Sequence, residues 1–144
     1  MKNLMVFVLL VCACGLSGCY TTADAVDRTS SQYAHASSLR EMIANQVIVL
    51  KSKSRSSPND SAIQQDLKDA IQDQNESLAL ENAEARANRE AIRNNSREEH
   101  ERNRRGRGTM VRLDTDFFLK GEAEKRQAKY DLLWSRYQDR ASRI

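Results

Sequence analysis

The side chains able to do covalent chemistry are few. The cysteines are Cys12, Cys14 and Cys19, and the histidines are His35 and His100. A thiolate is a strong nucleophile, and Cys19 follows Leu16-Ser17-Gly18. Small residues at 17 and 18 leave the backbone beside Cys19 uncrowded. Cys12 and Cys14 fall within an apolar run and read as small apolar side chains. Neither histidine has a His, Cys or carboxylate neighbour at metal-ligand spacing. No Gly-rich phosphate loop and no nucleophile elbow occurs. Asp114-Thr115-Asp116 is too short for a calcium loop and reads as acids at a helix start. The expectation is therefore no enzyme, no cofactor and no metal.

Met1-Lys2-Asn3 is a short basic opening, and Leu4 to Cys14 is an unbroken apolar stretch. That length suits the core of a secretory signal and is too short for a stop-transfer helix. With Leu16-Ser17-Gly18-Cys19 it resembles the signal peptide and lipobox of bacterial lipoproteins. The resemblance implies diacylation of the Cys19 thiol, cleavage before Cys19 and, in many bacteria, acylation of the new amino terminus. Two or three chains hold firmly where one binds reversibly, at ~0.8 kcal/mol per buried CH₂. In enterobacteria an Asp after the acylated Cys tends to retain a lipoprotein in the inner membrane; Tyr20 stands here. The expected location is the outer membrane, facing the periplasm, in a Gram-negative cell, and otherwise the outer face of the cytoplasmic membrane. Once the signal is removed, Cys19 is the one cysteine left, so no internal disulfide is expected.

Two groups of residues suggest recognition. Arg102, Arg104, Arg105 and Arg107 form a basic cluster beside Gly106 and Gly108. It fits contact with an anionic surface, or equally the solvation of a helix C-terminus. The net charge of +3 is too mild to indicate nucleic acid. Tyr130, Leu133, Trp134 and Tyr137 share one helical face, and Trp and Tyr make good anchors for a partner. The same face suits packing on an earlier helix of the chain, or on a second copy.

Charged residues make up 30% of the chain and aromatics 6%, with one Pro and five Gly. This disfavours a sandwich or barrel, which needs many turns. Residues 1–18 read as the signal and 19–38, small and polar, as the lipidated Cys and a tether or weak helix start. Over 39–50, Leu39, Ile43, Gln46 and Leu50 give a short amphipathic helix, with Met42 and Val47 widening its stripe. A buried strand at Val47–Leu50 is the alternative. Residues 51–60 form a Ser-rich linker. Ser57 before Pro58, or Ser61 with Gln64, caps the next helix. Residues 61–105 read as a long charged helix, about 68 Å at 1.5 Å per residue, or as a partly disordered spacer. Its apolar line is Ile71, Leu78, Ala85 and Ile92, extended by Ile63 and Leu67; the companion line of Gln74, Glu81 and Asn88 is polar. Arg86/Glu90, Arg97/Glu101, Glu98/Arg102 and Glu101/Arg105 stand at pairing distance along it. Residues 106–115 are a Gly/Arg break and apolar turn. Residues 116–144 are an aromatic amphipathic helix on the face Ala123, Gln127, Tyr130, Trp134, Tyr137, Ala141 and Ile144.

The fold expected is mainly α: two or three amphipathic or charged helices, elongated, partly coiled-coil-like, with a small or absent globular core. The function expected is that of a membrane-anchored lipoprotein of the cell envelope, a tether, spacer or accessory subunit. Its expected partners are the bilayer, through Cys19, and another envelope protein or a second copy, through the C-terminal helix. The alternative is a phage-type outer-membrane spanin, similar in layout but lacking the usual Pro-rich stretch, or a conjugation-system lipoprotein.

Overall fold

The structure is a computed structural model that describes residues 22–105 and 116–144, leaving out the side chains of 102, 105 and 116–120. It is mainly α. Helix α1 is Thr22–Ser56, α2 is Ser61–Arg105 and α3 is Asp116–Ala141. The described residues contain no strand, and Val47 to Leu50 are helical. The assembly is elongated because α2 alone holds 45 residues, about 68 Å of helix.

Helix α1 begins well before the expected Leu39. Much of the segment expected as a tether is helix. Small polar side chains disfavour an isolated helix, but here they find partners. Thr29 Oγ1 lies 2.9 Å from its own helix's Ala25 carbonyl and 3.1 Å from Asn88 Oδ1 on α2. Ser30 also reaches Asn88 Oδ1, at 3.1 Å. Thr22 Oγ1 stands 2.8 Å from Asn95 Oδ1 and 3.0 Å from Glu98 Oε2, and donates to one at a time.

The turn between α1 and α2 is tighter than the expected linker, because α1 runs through Ser56. Asp60 caps α2: its Oδ1 accepts from Ala62 N at 2.9 Å and Ile63 N at 3.2 Å. Neither Ser57 nor Ser61 takes that role. A carboxylate at the N-cap satisfies two otherwise orphaned amides and sits at the positive end of the helix dipole. Gln64 Nε2 donates back to Ser54 Oγ at 2.8 Å, closing the hairpin.

Helix α1 runs antiparallel to α2 from the Ser54–Gln64 contact to the Thr22–Asn95 contact. Helix α3 then runs antiparallel to α2 from Arg126 at Glu84 to Arg143 at Asp66. The core is small. Ala36, Leu39 and Ile43 of α1, Leu80 of α2 and Leu133 of α3 form one cluster, with Met42, Tyr130, Trp134 and Tyr137 packed on it. Val47, Leu50 and Ala70 form a second, flanked by Leu67.

The buried line of α2 is Ala70, Asp73, Ser77, Leu80 and Glu84, spaced three, four, three, four as a coiled-coil seam is. It lies one residue before the expected line of large aliphatics. Ile71, Leu78 and Ile92 are exposed, at 39%, 45% and 47%. Helix α3 is rotated similarly: Leu133 and Arg140 are buried, whereas Gln127, Ala141 and Ile144 face outward. Alanine and serine at the contact let α1 and α2 approach closely, which larger side chains would prevent. Leu133→Ala is therefore expected to cost about 2–5 kcal/mol, and Ile71→Ala less than about 1 kcal/mol. Urea unfolding of the two variants checks this; the reverse order would show that the seam is misplaced.

Candidate functional site

The face of α3 expected to recognise a partner docks inside the chain. Leu133 is fully buried between α1 and α2. Tyr130, Trp134 and Tyr137 lie half-buried against the same cluster. Trp134 and Tyr137 stack with ring centroids 5.7 Å apart and planes 25° apart. For Leu133 the intramolecular packing weighed at the sequence level holds, and a buried side chain does not touch a partner. Tyr137 keeps part of its surface in a groove between α1 and α3. Met42, Asn45, Val49, Ala141 and Ile144 line the rest of that groove, which holds about 300 Å³ with Gln46 at its floor.

Beneath the groove lies a chain of buried polar groups that links all three helices. Gln46 of α1 donates from Nε2 to the Tyr137 carbonyl at 3.2 Å and accepts at Oε1 from Arg140 Nε at 3.0 Å. Arg140 Nη2 stands 2.7 Å from Asp73 Oδ2 on α2, at an angle too oblique for a hydrogen bond. Asp73 Oδ1 accepts from Arg136 Nη1 at 3.0 Å. Arg136 also comes within 3.7 Å of Glu76 Oε2, which pairs with Lys129. Both Asp73 and Arg140 are nearly inaccessible to water, at 2% and 3%.

These contacts belong to a longer ladder. Asp66, Asp73, Glu76 and Glu84 stand on one face of α2; they meet Arg143 in the turn after α3, and Arg140 with Arg136, Lys129 and Arg126 on α3. The sequence carries both stripes, acidic and basic, but neither stands out among the many other charges. The signal that would find them is complementarity read antiparallel between two helices, not a pattern within one. At the far end of the ladder Arg126 Nε meets Glu84 Oε1 at 3.0 Å. Glu84 Oε2 has no partner among the described residues and its side chain lines a cavity of about 30 Å³ with Gln32, His35 and Tyr130, enough for one water. The His35 ring stands 6.4 Å from that of Tyr130.

Cys19, Gly18, Arg107 and Asp114 lie outside the described residues. Arg102 and Arg105 belong to the last turns of α2 by their backbone, and Arg104 and His100 are exposed there. Arg86/Glu90 and Arg97/Glu101, expected to pair along α2, do not, and these four residues have no other ionic partner among the described residues. The other two expected pairs involve side chains outside the description. Among the described residues no group of three His, Cys, Asp or Glu is gathered for a metal.

Removing one member of a buried pair leaves the other charge uncompensated. Asp73→Ala is expected to cost about 3–5 kcal/mol and to loosen α3 from the hairpin, read by amide hydrogen exchange over residues 121–141. Protection of α3 equal to that of the unaltered chain would show that the ladder is not what holds it.

The hydrogen bond from Lys129, then that from Gln72, holds the Glu76 carboxyl below its ordinary value of 4.5; burial opposes them, and the Lys129 and Arg136 charges assist. A lowered folded value means that this pair stabilises fully above the unfolded pKa and ceases to do so as pH falls through the folded one. Carboxyl NMR titration is expected to place Glu76 below 4.5 and to move it upward in Lys129→Ala. An unmoved Glu76 would assign the lowering to another group. Comparison with family models, curated proteins and solved structures finds no match.

Proposed function

We propose that this chain is a lipid-anchored protein of the bacterial envelope, acylated at Cys19, that works as a spacer and a docking piece and carries out no reaction of its own. The observation that carries the reading is Leu16-Ser17-Gly18-Cys19 placed directly after an apolar signal-like run. Thr22, in α1, is three residues from Cys19, so an acyl group there would lie within about 11 Å of the hairpin. No helix of the described residues is long and apolar enough to cross a membrane. Tyr20 at the position after the anchor favours the outer membrane.

The end of α2 is the same end of the hairpin at which α1 begins, because the two helices are antiparallel and Thr22 meets Asn95 and Glu98. Arg104, with the backbone positions of Arg102 and Arg105, lies beyond that contact. A basic helix end beside an acyl anchor suits anionic headgroups or lipopolysaccharide phosphates. The opposite end, with the α1–α2 turn and the close of α3, would then point away from the bilayer. The groove of Tyr137, Val49 and Ile144 opens there and is where another envelope protein, or a second copy, would dock through the C-terminal helix.

Cys19→Ser tests the anchor. The unaltered chain is expected to take up an alkyne-tagged fatty acid and to fractionate with membranes, and the variant to do neither. Persistent labelling of the variant, or an unaltered chain free in the cytosol with residues 1–18 attached, would overturn the reading.

A further inference from the structure

The aliphatic residues displaced from the seam of α2 form a surface of their own. Ile71, Leu78, Ala85 and Ile92 recur every seventh residue, each one position after the buried line of Ala70, Ser77 and Glu84. One residue is about 100° around a helix. The stripe therefore lies to one side of the core, away from the ladder that α3 occupies. Arg40 of α1 reaches across to Glu81, between Leu78 and Ala85, at 2.7 Å. Tyr33, seven residues before Arg40 and 37% exposed, stands on that same face of α1. The α1–α2 hairpin thus has two sides. One is filled by α3; the other exposes Ile71, Leu78 and Ile92, with half-buried Ala85 and the Arg40–Glu81 pair between them.

A strict seven-residue repeat selects the shape of what covers it. Such a line stays in register with a second helix that winds gently about the first. A flat lipid surface requires no such repeat and favours a broad apolar arc instead. The flank selects the charge. Arg86, Arg89 and Arg93 border Ala85 and Ile92, all exposed and none with an ionic or hydrogen-bonding partner among the described residues. Two heptads earlier, beside Ile71 and Leu78, the corresponding positions are Gln72, Asn75 and Ala79, which are uncharged. A second copy laid parallel would set these arginines against their own counterparts; laid antiparallel, it would face them with neutral residues and with Lys68.

We infer that this face is a docking site for an amphipathic helix of another protein, with an apolar heptad seam and Asp or Glu along the flank that lies over residues 86–93. The seam lies along the line from Ile71 to Ile92 as the fourth helix of a bundle, and its acids answer the three arginines. This deepens the docking-piece reading above. It does not depend on acylation, so failure of the Cys19 experiment leaves it standing, and its own failure leaves the anchor standing.

The test uses the full chain in neutral detergent micelles and a fluorescent synthetic helix of about four heptads, with leucine at the seam and glutamate at the flanks. A lysine-flanked copy is the comparison. Saturable binding is expected for the glutamate probe and binding weaker by roughly tenfold for the lysine probe. Leu78→Asp is expected to abolish binding. The double change Arg89→Glu with Arg93→Glu should invert the preference, and because both side chains are exposed it leaves the core intact, as helicity by circular dichroism would show. Equal binding of the two probes, or no inversion, overturns the inference. So does a dimer in sedimentation that Leu78→Asp dissociates, which would give the face to a second copy. Capture by anionic vesicles that is lost in the double variant but unaffected by Leu78→Asp would give it to lipid, and also overturns it.

Discussion

The structure depends on one costly arrangement, an aspartate with almost no access to water in the seam of α2. Asp73 is tolerable there only because Arg136 and Arg140 come to it from α3 and Gln46 steadies Arg140 from α1. Desolvating two charges costs several kcal/mol each, and their attraction offsets this when the geometry and remaining hydrogen bonds are good. The third helix is therefore a condition for the α1–α2 hairpin to keep its polar seam buried. The same demand fixes where α3 sits. Sliding it by one turn would part Arg140 from Asp73 and Arg126 from Glu84 together, leaving buried charges without partners. Register, which aliphatic packing alone specifies weakly over so small a core, is set by charge.

This explains which parts of the fold were legible in the sequence. The face of α1 was, because Leu39, Ile43, Val47 and Leu50 are aliphatic at helical spacing and all are buried. The mainly helical, elongated class was legible in the scarcity of Gly and Pro and in the charge content. The seam of α2 was not. Its members include Asp73, Ser77 and Glu84, residue types that ordinarily mark a solvated face, while the aliphatics one position along have the spacing that ordinarily marks a core. Hydrophobic periodicity found a real line and placed it on the wrong side. On α3 the face of Tyr130, Leu133, Trp134 and Tyr137 was legible and packs on the core, but the line was extended to Gln127, Ala141 and Ile144, which are exposed, and missed the buried Arg140. An arginine at a seam position carries no apolar signal; it becomes intelligible only when read against an aspartate on another helix. The early start of α1 was hidden for a related reason. Thr22, Thr29 and Ser30 are poor helix formers taken alone, and their hydroxyls are satisfied by asparagines and a glutamate of α2.

The two ends of the hairpin differ in how they are held, and this bears on the proposed anchor. From Ala36 to Leu50, α1 is bound by apolar burial, by Gln46 and by the Arg40–Glu81 pair. From Thr22 to Ser30 the hydroxyls of Thr22, Thr29 and Ser30 reach Asn88, Asn95 and Glu98 of α2, and Asp24 and Arg28 have partners as well. Each such bond contributes on the order of 1 kcal/mol, and water competes for all of them. Helix ends held this way open locally at low cost. An acyl group at Cys19 would thus pull on the part of the rod best able to give, while the three-helix section beyond stays intact. A tether built in this order transmits position without transmitting strain to the section where Tyr137 and its groove lie.

The inverted α2 has a further consequence. A helix that buries acids and exposes isoleucine and leucine gains less from folding alone than one with the reverse pattern, because each exposed aliphatic forgoes part of the burial it would otherwise gain. Exchanging Ser77 and Leu78 would add a leucine to the seam, beside Asp73 and Glu84, which would remain. It would also crowd the close approach between α1 and α2 and interrupt the apolar line of Ile71, Leu78 and Ile92. The arrangement present gives the hairpin two unlike faces: one joined to α3 by charge, the other apolar and bordered over its second half by Arg86, Arg89 and Arg93, which have no ionic partner among the described residues. Heptad spacing, bordering charge and separation from the α3 ladder are the features that the proposed fourth helix would read.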